Sequence, residues 1–246
     1  MKMDSFLGKK ILATVRSGDF AHPGEEEAVE LLFASIPKNP AQKILDAGCG
    51  RGGTADYLYW NGWGIITAID SDPESINYAQ LSFPGIDFIH CDVLNAPAKA
   101  PGPFDIICLF NSFYAFENQP GALKALAGVA ATNCRLALFD YFDKGGYQTR
   151  PITNDGKNFI QRPLQKKSII EMLKTAGWTP QTFTDISLHY AGWYENFMAN
   201  LKRQKAAVIS IGGEEAYENV GRLYSELLAS INKGDLGGAI IRALKA

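Results

Sequence analysis

The run Lys43-Ile-Leu-Asp46-Ala-Gly48-Cys49-Gly50-Arg-Gly52-Gly53 constrains this chain more than any other, because a short apolar strand ends on an acid and enters four glycines within six positions. Glycine admits left-handed backbone and puts no side chain between main chain and ligand, so a strand breaking into glycines ahead of a helix makes a tight turn with its N–H groups facing outward. Gly48, Gly50 and Gly53 also satisfy the dinucleotide spacing GxGxxG, a weak signal when taken alone. Asp46 separates the readings. It ends the strand beside the place a pyrophosphate would occupy, where a carboxylate repels phosphate and suits a cationic amino group.

Strand-like runs at 43–46, 64–70, 86–90, 105–110, 136–140 and 182–187 alternate with helical periodicity at 52–61, 73–81, 119–129 and 165–176, and 237–244 reads as a last strand. The alternation predicts an α/β fold, a doubly wound, mostly parallel, seven-stranded sheet with helices on both faces and ligands at the carboxyl ends of its strands. One acidic-headed helix is expected at 25–36, within an N-terminal cap of residues 1–37. The core then spans 38–189, a helical cover 190–233 and the last strand 234–246, all within one domain. The cover combines helices at 193–208 and 214–231 and lies over the ligand edge.

Two further acids extend the pattern. Asp70 closes the second strand, at the distance typical of an acid that accepts hydrogen bonds from ribose hydroxyls, and Asp92 follows the third strand, where it meets an exocyclic amine. Taken singly, either also reads as a helix cap or a turn former. Jointly they describe a ligand with an amine, a ribose and a base but no phosphate.

Those residues resemble the class I S-adenosylmethionine-dependent methyltransferases, with a Rossmann-like core. The likeness spans residues 40–142 and includes ILDAGCGRGG, AID ending at Asp70, HCDV with Asp92, and FDIICLFNSF after the fourth strand. It implies S-adenosylmethionine as cofactor and S-adenosylhomocysteine as product. Gly48 and Gly50 would line the methionine portion, with Asp46 positioning its amino group. Asp70 would hold the ribose hydroxyls and Asp92 the adenine amino group, with the Val93 backbone near the ring. Cys49, Ser71 and Asn111 complete the expected cofactor set. The late helices and the ending from Gly234 resemble small-molecule methyltransferases of the sarcosine, dimethylglycine and phosphoethanolamine type.

Charge and cysteine usage narrow the partners. With 24 Lys+Arg against 26 Asp+Glu, the net charge of -2 gives no electrostatic reason to seek nucleic acid or an anionic membrane. The loop Asn111-Ser-Phe-Tyr114-Ala-Phe116 lacks the Asn-Pro-Pro-aromatic signature of enzymes that methylate nucleobase or glutamine amino groups. No apolar run approaches the roughly 18 residues that cross a bilayer, the N-terminus has no secretory core, and the four cysteines show neither disulfide nor zinc spacing. The expectation is a soluble, cytoplasmic enzyme without metal.

The acceptor is expected to be a small molecule, with an amine nitrogen favoured over the oxygen or carbon of a phenol or quinol. Phe113, Tyr114, Phe116, Tyr141, Phe142, Tyr190, Trp193, Tyr194 and Phe197 are candidates to line its pocket, each also readable as core. Tyr114, His189 and Tyr190 are candidates to orient it or take its proton, although an amine binding neutral needs no base. A nicotinamide oxidoreductase on the same glycines is the competing reading, opposed by Asp46 and by the lack of a Tyr-x-x-x-Lys dyad. A binding protein without turnover is a third.

Overall fold

The computed structural model describes residues 2–245. Strands β1 (Lys43–Ala47), β2 (Ile65–Asp70), β3 (Asp87–His90), β4 (Phe104–Phe110) and β5 (Ala130–Asp143) come first. A two-residue hairpin, β6 (Thr153–Asn154) with β7 (Lys157–Asn158), stands apart, and β8 (Trp178–Asp185) and β9 (Leu236–Lys245) complete the set. The sheet has seven strands in the order β3-β2-β1-β4-β5-β9-β8. β9 is antiparallel to both of its neighbours, and the other pairings are parallel.

Central strands buried on both faces need an apolar residue at nearly every position, as KILDA and FDIICLF supply. Alternation along each strand divides the core. Ile44, Ile106, Cys108, Phe110 and Phe139 join one layer, with helices α1 (Phe6–Arg16), α2 (Glu25–Phe33), α3 (Gly53–Trp60) and α4 (Pro73–Ser82). Leu45, Ala47, Ile107, Leu109 and Leu138 join the other, with α5 (Ala96–Lys99), α6 (Gln119–Val129) and α7 (Lys166–Thr175). The cover, α8 (Ser187–Arg203) and α9 (Lys205–Lys233), packs on the first layer between β8 and β9 in chain order. The sheet winds outward in both directions from β1 and β4, so the crevice at their carboxyl ends is the switch point where such folds take ligands.

The structure departs from the sequence reading in three places. The first 37 residues hold two helices rather than one: α1 begins at the cap Ser5, whose Oγ accepts the Gly8 N–H at 3.2 Å, and ends on left-handed Ser17. Strand β5 starts at Ala130, ahead of the expected 136, because the left-handed Asn133 and a register shift between Phe104 and Ile106 disguise its first half. The cover begins at Ser187 and its first division is at Gln204 rather than after 208, while a second break within α9, at the non-helical Gly213 (φ +82°), falls where the sequence starts its last helix.

Candidate active site

The glycine turn is shaped by contacts that only glycine permits. Gly48 has φ +87°, and a Cβ there would stand 2.4 Å from Cβ of Ser112, whose hydroxyl donates to the Ala47 carbonyl at 2.7 Å. Gly52, at φ +92°, would press a Cβ to 2.8 Å from the Phe88 ring. The N–H groups of Gly48 and Cys49 both donate to the Ile69 carbonyl, tying the turn to the end of β2. Gly48→Ala combines left-handed strain of about 1–2 kcal/mol with this clash. It is expected to lower the melting temperature by several degrees and to weaken S-adenosylhomocysteine binding, as calorimetry would record.

The three acids end up along one edge of the sheet. Asp46, the penultimate residue of β1, is 1% exposed, and its Oδ2 has no hydrogen-bond partner. Burial, and then the nearby Asp70, push its carboxyl up to about 7. Asp70 is already engaged: Oδ2 accepts the Gly50 N–H at 2.8 Å, and Oδ1 accepts the Asp72 N–H at 2.9 Å and Lys9 Nζ at 3.2 Å. Lys9 also reaches Asp72 Oδ2 at 3.4 Å and Ser75 Oγ at 3.2 Å. Asp92 caps the turn after β3 by accepting the Leu94 N–H at 2.8 Å.

A cavity of about 250 Å³ opens beside these groups. Gly48, Gly50, Asp70, Ser71, Asp92, Val93 and Asn111 line it, and so do Met3, Asp4, Tyr114, Tyr141, Phe159 and Tyr224. A second opening of about 280 Å³ shares Met3, Asp4, Tyr114, Ala115 and Phe159 with it and leads outward. Asn111 has φ +45°; its Oδ1 accepts the Tyr190 hydroxyl at 3.0 Å, while its buried Nδ2 has no partner. Asp140, fully buried on β5, accepts the N–H groups of Tyr114 at 3.0 Å and Tyr141 at 2.7 Å. It thereby fixes the loop that presents Tyr114, and the Tyr114 and Tyr141 rings meet edge to face at 5.1 Å.

Other expected site residues lie outside the cavity wall. Asp46 is buried and does not line it, and Cys49 is buried too, its thiol pushed well up by burial. Tyr190 is fully buried behind Asn111. The His189 ring is half exposed, 3.8 Å from Glu27 and tilted against the Trp193 ring at 5.3 Å. Of the expected aromatic wall, Tyr114, Phe116 and Tyr141 line the cavity, whereas Trp193, Tyr194 and Phe197 pack into the core. Lys9, Asp4, Phe159 and Tyr224 were not foreseen. Lys9 alone left a trace, as a lysine on the apolar face of a helix capped by Ser5.

A left-handed glycine floor, a buried carboxylate oxygen without a partner and a second acid one strand over fit a ligand with a cationic amino-acid end and a ribose. They define a nucleoside-binding α/β domain. The chain matches the profile of a methyltransferase domain over residues 22–182. It therefore belongs to that family, the S-adenosylmethionine-dependent methyltransferases of class I, and its cofactor is S-adenosylmethionine. A malonyl-[acyl-carrier protein] O-methyltransferase of Magnetococcus marinus is 29% identical over 127 residues, 48% of this chain and 44% of that protein. The chain spans less than half the length of the curated relatives it matches. Among solved structures, the phosphoethanolamine N-methyltransferase 2 of Haemonchus contortus superposes with a TM-score of 0.82 at 13% identity, covering 98% of this chain and 57% of that one. A cyclopropane synthase of Mycobacterium tuberculosis superposes at 0.84 and 14% identity, covering 99% and 96%. Among the described residues no helix is long and apolar enough to cross a membrane, and no group of three or more His, Cys, Asp or Glu could hold a metal ion.

Proposed function

We propose that this chain transfers the methyl group of S-adenosylmethionine to the amine nitrogen of a small molecule. The observation that carries the reading is the buried Asp46 carboxyl, its Oδ2 without a partner, next to a glycine turn that lines a cavity with Tyr114, Tyr141 and Tyr224. Asp46 would meet the cofactor's amino group, Gly48 and Gly50 its methionine chain, Asp70 the ribose, and Asp92 with Val93 the adenine. Ser71 and Asn111 would complete that wall. The cofactor supplies an electrophilic methyl on a sulfonium, and the protein's part is to hold a nitrogen lone pair in line with it and keep water out. Such positioning is worth roughly 7–11 kcal/mol of barrier.

Tyr114 would orient the acceptor. Burial pushes its phenol well above the ordinary value, so it stays protonated at neutral pH and donates rather than taking a proton. Tyr190 would brace Asn111, and the surface position of His189 leaves the amine to enter already neutral. The N-methyltransferase among the structural neighbours supports nitrogen as the acceptor atom.

The test is a thermal-shift and calorimetric titration with S-adenosylhomocysteine, followed by a panel of amines, phenols and quinols with labelled cofactor. Only ionised Asp46 attracts an ammonium, and its carboxyl gains a proton below about pH 7. Kd for S-adenosylhomocysteine is therefore expected to rise by up to about tenfold per pH unit as pH falls from 7 to 5. A flat profile would count against Asp46, and turnover of phenols alone would move the acceptor atom from nitrogen to oxygen.

A further inference from the structure

We infer that the acceptor is an amine carrying no anionic group, its other substituents being uncharged or cationic. This rests on the reading of the chain as an amine methyltransferase and adds the charge of the substrate. Among the described residues, the charged side chains lining the main cavity are Asp4, Asp70, Asp72, Asp92 and one base, Lys9. Lys9 Nζ is already bound by Asp70, Asp72 and Ser75 at 3.2–3.4 Å, on the cofactor side.

The acceptor side offers aromatic rings and hydroxyls. Tyr141 shares its hydroxyl with that of Tyr194, and Tyr224 and Phe159 pack edge to face at 5.5 Å. Phenols held neutral by burial donate hydrogen bonds but do not neutralise a phosphate or carboxylate, and an anion taken from water without a counter-charge is strongly disfavoured.

Among the described residues no other cation lines the main cavity. Arg16 lies behind Tyr194 and Tyr224 with its guanidinium 2.7 Å from Glu25 and 4.9 Å from the Phe197 ring, and it does not reach the cavity. Lys2 and Lys157 line only the outer opening, are exposed, and share it with Asp4 and Glu117. The same surroundings favour a cation. Ring faces attract ammonium and N-methylammonium groups, and a carboxylate at the mouth draws them in. Methyl transfer to a tertiary amine leaves the positive charge on nitrogen while the sulfur becomes neutral, so the cavity holds a positive charge throughout.

Matched pairs differing by one anion test the inference: ethanolamine against phosphoethanolamine, N,N-dimethylethanolamine against N,N-dimethylglycine, and phenol against 4-hydroxybenzoate. Rates are read with labelled cofactor, and binding to the S-adenosylhomocysteine-loaded protein is read by calorimetry, which needs no turnover. The member without an anion is expected to exceed its partner at least tenfold in kcat/KM or affinity, and Asp4→Lys is expected to narrow that ratio at least threefold. Equal or better use of the anionic members overturns the charge rule. Methylation confined to phenol, with phenol still preferred over 4-hydroxybenzoate, overturns the amine reading while the charge rule stands.

Discussion

Asp46→Asn is expected to raise the melting temperature of the cofactor-free protein at pH 8 while weakening S-adenosylhomocysteine binding by about a hundredfold or more. Both effects come from one buried carboxylate without a hydrogen bond on Oδ2. Its carboxyl is ordinary in the unfolded chain and is lifted to about 7 by burial and by Asp70 when the chain folds. The folded state then holds the proton more tightly, so stability is fullest in acid and declines as pH rises through that interval. Three pH units correspond to at most a few kcal/mol, or a gain on the order of 5 °C for a chain of this size. Neutralising one partner of a buried charged contact costs about 2–5 kcal/mol of binding. Differential scanning calorimetry at pH 5 and pH 8 checks the first effect, which shrinks at the lower pH. A variant that bound the ligand like the parent would remove Asp46 from the site.

Asp140 makes the opposite case. Burial lifts its carboxyl to about 7 as well, yet both of its oxygens are occupied by the N–H groups of Tyr114 and Tyr141, with Phe113 adding a third. Asp140→Ala strands these donors in the core at about 1–3 kcal/mol each. The expected result is a melting temperature lower by about 10 °C or more. Because the loop bearing Tyr114 loses its anchor, KM for the acceptor should rise more than Kd for S-adenosylhomocysteine. Equal changes in both constants would mean that Asp140 supports the whole sheet rather than that loop. Identical buried acids thus predict opposite stability changes, and hydrogen-bond completeness decides the sign.

The glycine turn and the placement of its acids were legible in the sequence because both are local. Glycines at 48, 50 and 52 must sit where the backbone turns left-handed, and acids at the ends of successive parallel strands must converge on one edge. The rest of the cavity lining was not, because it comes from residues with no common spacing: Asp4 before α1, Phe159 beside the hairpin and Tyr224 on α9. Nothing local distinguishes Tyr224 from Tyr194, which lies on the other cover helix and is buried beside it at 5.8 Å. Helix α1 itself was hidden by Gly8, Lys9 and Lys10, which dilute its apolar stripe, although Ile11, Leu12 and Val15 carry the helical period.

Lys9 gives that hidden helix a second significance. It grips the carboxylate expected to receive the ribose, while a few residues upstream Met3 and Asp4 stand at the threshold of the other chamber. Both lie ahead of the span that matches the family, and Tyr224 lies beyond it. The cavity thus takes part of its lining from flanks outside that shared stretch, and trimming the first eighteen residues would remove Met3, Asp4 and Lys9 from it together with the buried Ile11, Leu12 and Val15.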